Sequence, residues 1–195
     1  MTSSVITFPE HLQEKAKKIR CLICDVDGVL TNGLIYMTAE STELRAFHVH
    51  DGMGLKLLMA SGIDVAVITT SRVSVIDHRM NQLGIKHYYR GQVNKVAAFD
   101  DLKKKLNLEN HEFAYIGDDL PDWEIMKQVG LSIAVANAVE RVAHLADWKT
   151  TKKGGAGAVR EACEAFMALN NTTELALERY LGTSVSEKLP SEAFQ

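Results

Sequence analysis

Two aspartates one residue apart open the stretch of this sequence where chemistry is densest, Asp25-Val26-Asp27-Gly28-Val29-Leu30-Thr31. The apolar run Cys21 to Cys24 precedes them. The pair therefore stands at the carboxyl end of a predicted buried strand, the edge where ligands bind in an open α/β sheet. Gly28 permits the turn that lets both carboxylates face one crevice. A plain Asx-turn closed by glycine would use the same residues, so the pair gains a meaning only from its partners further along the chain. Thr69 and Thr70 end a second strand-like run, Lys95 opens a helical one, and Gly117-Asp118-Asp119-Leu120-Pro121-Asp122 succeeds a later strand. Taken singly, hydroxyls cap helices, lysines are solvated and acidic loops end strands. Together they bring carboxylates, hydroxyls and a cation to successive strand ends, the groups from which nucleophiles, proton donors and hard-metal ligands are drawn.

The elements that must position these residues are set by periodicity. Strands are predicted at Cys21 to Asp25, Asp64 to Thr69, His87 to Tyr89, Phe113 to Gly117 and Leu131 to Val135, mostly β-branched or aromatic runs suited to burial in a parallel sheet. Helices are predicted at Gly52 to Ala60, Ser74 to Leu83, Lys95 to Leu106, Pro121 to Val129 and Ala158 to Leu169, with Gly62, Gly84 and Gly130 as candidate C-caps. The alternation specifies an α/β fold with a three-layer Rossmann-like parallel sheet. Residues 34–49 break the rhythm and read as an inserted β-hairpin turning around Ala39-Glu40-Ser41, either a cap or an assembly element. A single domain is expected over residues 1–170. Residues 171–195 form a polar tail holding one short helix, Glu174 to Tyr180.

The bulk properties narrow the function. With 195 residues and 46% hydrophobic content, one substantial core is expected. A net charge of -3 gives no general affinity for nucleic acid or an anionic membrane. No apolar run approaches a membrane span, and the first residues lack a secretory h-region, so a cytoplasmic protein is expected. Cys21-x-x-Cys24 lies within a buried strand and reads as a reduced core pair rather than a redox or zinc motif. His48 and His50, at alternate positions, would share a strand face as metal ligands only with a third partner.

The order DxDGVLT, strand-ending Thr, Lys and GDDxxD resembles that of the haloacid dehalogenase superfamily. A closer resemblance, to the 3-deoxy-D-manno-octulosonate 8-phosphate phosphatase family, is carried between about Cys21 and Arg160 by DVDGVLTNGLIYM, AFHVHDGMGLKLL, GIDVAVIT, LGIKHYYRGQVNK, YIGDDLPDWEIM, VGLSIAVA and GGAGAVRE. It implies that Asp25 is a nucleophile forming an aspartyl phosphate, and that Asp27 is the acid that protonates the leaving group and then activates water. It further implies that Mg²⁺ is held by Asp25, the Asp27 carbonyl and Asp118, with Asp119 and Asp122 in support. Lys95, Thr69 and the turn amides at Gly28 would stabilise the phosphoryl group. Asp27 separates this chemistry from that of superfamily dehalogenases and P-type ATPases, which lack the second acid.

The same resemblance implies a small cap, closed by the hairpin and tail of neighbouring chains in a homotetramer, and a phosphorylated sugar-acid substrate. Thr70, Arg72, His50 and Arg79 are candidates to bind it. Gly154 to Gly157 reads either as a flexible tail approaching a ligand or as a loop before the Ala158 helix. The chain departs from the family pattern at His50 and Met53, in place of arginine and an aromatic, at Ser71 before a displaced arginine, and at Asn137. These changes leave the reaction standing and open the substrate to another ulosonic acid phosphate. The competing classes are a non-catalytic sugar-phosphate binder, which has no need of nucleophile and acid together, and a phosphomutase, which needs a larger cap.

Overall fold

The computed structural model describes residues 7–182. Six parallel strands form the sheet: β1 (Cys21–Cys24), β4 (Asp64–Ile68), β5 (His87–Tyr89), β6 (Phe113–Gly117), β7 (Leu131–Ala134) and β8 (Trp148–Lys149), in the order β5-β4-β1-β6-β7-β8. A separate two-stranded hairpin pairs β2 (Tyr36–Met37) with β3 (Glu43–Leu44) antiparallel. The helices are α1 (Glu10–Ala16), α2 (Val49–Ser61), α3 (Ser74–Leu83), α4 (Lys95–Leu106), α5 (Trp123–Met126), α6 (Glu140–Leu145), α7 (Ala158–Leu169) and α8 (Thr173–Leu181).

Strand alternation builds two cores, one on each face of the sheet. Leu22, Cys24, Val65, Val67, Ala114 and Ile116 face α1, α2, α3 and α7, while Cys21, Ile23, Ala66, Ile68, Phe113 and Tyr115 face α4, α5 and α6. Cys21 and Cys24 thus point to opposite faces and cannot share a metal or a disulfide. They and Cys163 are buried free thiols. The five sequence-predicted strands and the parallel three-layer arrangement are all present.

The differences have local causes. Helix α2 begins at Val49, earlier than its periodicity suggests, because His48 caps it by accepting the His50 N–H on Nδ1 at 3.3 Å. His48 and His50 are therefore a cap and a first-turn residue, not neighbours on a strand face. Among the described residues the one group of three candidate ligands for a metal ion is Asp25, Asp118 and Asp122. The segment expected as one helix from Pro121 opens as a 3-10 turn, Leu120–Asp122, and α5 ends at Met126. Gly130 caps no helix; its N–H is spent on the Asn110 and Phe113 carbonyls, whereas Gly62 and Gly84 are the left-handed C-caps expected of them. Helix α8 packs on α2, with Ala176 buried and Arg179 donating to the Ala60 carbonyl, so ordered structure continues past residue 170. Residues 183–195 lie outside the described residues. No described helix is long and apolar enough to cross a membrane.

Candidate active site

Three neighbouring central strands end at the same edge, and each is followed there by one of the expected site residues. Asp25 follows β1, with its N–H held by the Ile116 carbonyl at 3.1 Å; Thr69 follows β4; Asp118 follows β6. Beyond Asp25 the chain reverses on the Val26 carbonyl, which accepts from Val29, Leu30 and Thr31. The buried Thr31 hydroxyl accepts the N–H groups of Gly28 and Gly33. Gly28 has φ 88, and a Cβ there would meet an Asp118 carboxylate oxygen at 2.0 Å. Glycine is what lets Asp118 lie against this turn.

Lys95 is the first residue of α4, where a cation opposes the helix dipole. Its compensation is specific. Nζ donates to Asp25 Oδ1 at 2.6 Å, to Asp122 Oδ1 at 2.7 Å and to the Tyr115 hydroxyl at 3.2 Å, all buried. Tyr115 donates to Asp122 Oδ1 at 2.6 Å. The other Asp122 oxygen accepts the N–H groups of Asp118 and Asp119 at 2.9 and 3.3 Å. Both Asp122 oxygens are thus engaged by Lys95, Tyr115 and the acidic loop, and its carboxylate also lies with those of Asp25 and Asp118 in the group that could hold a metal ion. Asp119 is exposed and caps the 3-10 turn through Leu120 N.

A cleft of about 230 Å³ opens here, lined by Asp25, Asp27, Gly33, Thr70, Lys95, Asp118, Asp119, Pro121 and Asp122. Burial, reinforced by the Asp122 charge and opposed by Lys95, pushes the Asp25 carboxyl up to about 7. Burial together with the charges of Asp25, Asp122 and Asp119 pushes Asp118 up to about 8. Burial would lower the Lys95 ammonium, but the Asp25 and Asp122 carboxylates outweigh it and hold it charged. Five carboxylates face one lysine in the cleft. That donor set fits a hard divalent cation, which would relieve the crowding.

The remaining candidates divide by position. Thr69 is 1% exposed, and its hydroxyl accepts Ser71 N at 3.1 Å, leaving its proton to donate; Thr70 reaches the cleft wall. Arg72 is exposed and packs beside Gly91. Arg79 lies over the Phe47 ring and against Gly52, and His50 is exposed in the first turn of α2. None of these three lines the cleft of this chain. Asp27 is bound by Arg45, whose Nε donates to Oδ1 at 2.7 Å. Arg45 falls in none of the motifs that carry the resemblance, and Tyr115, which opens YIGDDLPDWEIM, has no site role that the motif marks.

The Gly154 to Gly157 loop is seated on the turn that follows Asp25. A Cβ on Gly154 would fall 1.6 Å from the Gly28 carbonyl oxygen, and Gly155 N donates to the Val29 carbonyl at 2.8 Å. Asn137 accepts Gly154 N at 2.8 Å, and buried Asp51 accepts Gly157 N and Arg160 N at the start of α7. Gly154 and Gly155 serve close backbone approach, while Gly157 takes the left-handed φ of 102 before α7.

The pattern of the haloacid dehalogenase-like hydrolases matches residues 69–162. A 3-deoxy-D-manno-octulosonate 8-phosphate phosphatase of Yersinia pestis is 48% identical over 161 residues, 83% of this chain and 86% of its own. This chain belongs to that phosphatase family. Two solved structures superpose on most of it. A hydrolase of the same superfamily from Legionella pneumophila has TM-score 0.87 and 59% identity, covering 88% of this chain and 94% of its own. The 3-deoxy-D-manno-octulosonate 8-phosphate phosphatase from Moraxella catarrhalis, solved with magnesium ion, phosphate ion and the sugar acid, has TM-score 0.84 and 41% identity, covering 89% and 99%.

Proposed function

We propose that this chain is a cytoplasmic, Mg²⁺-dependent phosphatase that releases the free sugar acid from 3-deoxy-D-manno-octulosonate 8-phosphate for lipopolysaccharide synthesis. The observation that carries the reading is the buried contact of Lys95 with Asp25 beside Asp118 and Asp27 in one cleft. These are the groups that such a reaction needs as nucleophile, metal ligand, acid and fixed cation.

An oxygen of Asp25 attacks phosphorus while the bond from phosphorus to the sugar oxygen breaks, and that oxygen takes its electron pair and a proton from Asp27. Water then attacks the aspartyl phosphate and gives a proton back to Asp27, freeing phosphate and restoring Asp25. Lys95 holds Asp25 in place and offsets charge on the phosphoryl group, to which Thr69 or Thr70 and the Gly28 turn donate. Asp25, the Asp27 carbonyl and Asp118 would hold the cation, with Asp122 fixing Asp118 from behind. When bound, Mg²⁺ supplies charge neutralisation between two anions that otherwise repel.

The hairpin supports an assembly reading. Leu34, Ile35, Tyr36, Met37 and Leu44 are 45% to 66% exposed, an apolar surface suited to a neighbouring chain in a homotetramer that closes each cleft. Arg72, Arg79 and His50 would then meet substrate only across that contact. A second substrate, another ulosonic acid phosphate such as a nine-carbon sialic-type 9-phosphate, is favoured by the family arginine being His50, exposed at the start of α2. Phosphate release from both substrates, with Mg²⁺ or EDTA and with Asp25→Asn as control, tests the reading. Metal-dependent turnover of the octulosonate supports it. Turnover of the nonulosonate alone moves the substrate, and tight binding without turnover of either refutes the phosphatase.

A further inference from the structure

The hairpin is tied to the catalytic turn by one charged group. Arg45, just after β3, spans two carboxylates: Nε donates to Asp27 Oδ1 at 2.7 Å and a terminal nitrogen donates to Glu43 Oε2 at 2.8 Å, while its other terminal nitrogen takes the Leu44 carbonyl at 3.1 Å. Its side chain is 3% exposed, although much of the hairpin around it faces solvent. Exposed ion pairs contribute little, but a covered guanidinium with every nitrogen engaged fixes its partner's orientation. Other ties here are the backbone bridge between Thr31 and Phe47 and the Asn32 amide donating to the Tyr36 hydroxyl at 3.2 Å, neither of which touches Asp27.

We infer that Arg45 is a positioning residue for the reaction, holding Asp27 by Oδ1 so that Oδ2 is presented to the leaving oxygen, with Glu43 fixing Arg45 in turn. The inference rests on the reading of Asp27 as the proton donor. It makes the hairpin part of the proton-transfer apparatus as well as a cover. A side chain held within a few tenths of an ångström can pass its proton as the phosphorus to oxygen bond breaks; a freely rotating one does so only in the fraction of time it is aligned. A purely structural staple would position the hairpin and leave the proton transfer unaffected.

The two roles separate by leaving group. Substituted phenyl phosphates, which carry no sugar for Arg45 to recognise, are turned over at one pH with saturating Mg²⁺ by wild type, Arg45→Met, Arg45→Lys and Asp27→Asn. Nitrophenolate leaves without a proton, whereas unsubstituted phenolate needs one. Arg45→Met is expected to lose about tenfold more kcat/KM, which reports the step in which the leaving group departs, on phenyl phosphate than on nitrophenyl phosphate. Arg45→Lys, which reaches only one carboxylate, should fall between it and wild type, and Asp27→Asn should show the largest disparity. Because each protein is its own reference, a partly unfolded sample lowers both rates and leaves the ratio alone. An unchanged ratio in Arg45→Met, with a changed one in Asp27→Asn, overturns the positioning role and leaves the reaction standing. An unchanged ratio in both removes Asp27 as the donor, and Arg45 with it.

Discussion

Lys95 Nζ lies 2.6 Å from Asp25 Oδ1, across 70 residues of chain. The contact joins the start of α4 to the end of β1 and is buried at the floor of the cleft. A buried cation held by two carboxylates and a tyrosine hydroxyl is costly to assemble and costly to break. It is therefore a sensitive point for both stability and turnover.

Lys95→Met leaves Asp25 and Asp122 facing each other without a cation. We expect kcat to fall about 10²- to 10³-fold and unfolding free energy at pH 7 to fall by about 3 kcal/mol. The stability loss shrinks toward pH 5, where Asp25, raised by burial, takes up a proton and no longer repels Asp122. Urea denaturation at the two pH values measures this, and an equal loss at both would contradict the account.

In metal-free protein, Asp25 and Asp118 have folded values of about 7 and about 8, above their ordinary 3.8. A raised carboxyl keeps its proton in the folded chain after the unfolded chain has released it. Stability is therefore greatest below the ordinary value and falls as pH rises toward 7 and 8. Thermal melts in EDTA should drop steadily between pH 5 and 8, and excess Mg²⁺ should flatten the curve by replacing protons at the same oxygens. A flat profile in EDTA would show that these carboxyls are not crowded in solution.

Gly154→Ala places a methyl against the Gly28 carbonyl, where backbone meets backbone and neither can rotate away. We expect a destabilisation of about 3 kcal/mol, together with weaker Mg²⁺ binding in the fraction that remains folded, because the catalytic turn is displaced. Calorimetry of metal binding reads the second effect, and wild-type values for melting and metal affinity would refute the seating of this loop.

Asp25, Lys95 and Asp118 are legible in the sequence because each stands at a boundary that burial periodicity marks: the end of an apolar strand or the start of an amphipathic helix. The parallel sheet is legible for the same reason. Arg45 and Tyr115 are not. Tyr115 looks like any core aromatic until the pairing of β1 with β6 places it on the same sheet face as α4, and Arg45 lies in a hairpin whose fold back onto Asp27 is a tertiary event. The early start of α2 depends on a histidine cap, and β8 is two residues long, below any periodic signal. The Gly154 loop carries an obvious glycine signal, but composition alone cannot separate flexibility from close approach.

The most direct test of the central claim is to mix the enzyme with Mg²⁺ and octulosonate 8-phosphate, quench in acid within the first turnover, and map the digest by mass spectrometry. The account predicts a phosphoryl group on the peptide carrying Asp25, labile to hydroxylamine and absent from Asp25→Asn. Active enzyme that yields no modified peptide, or a phosphoryl group on another residue, would contradict it.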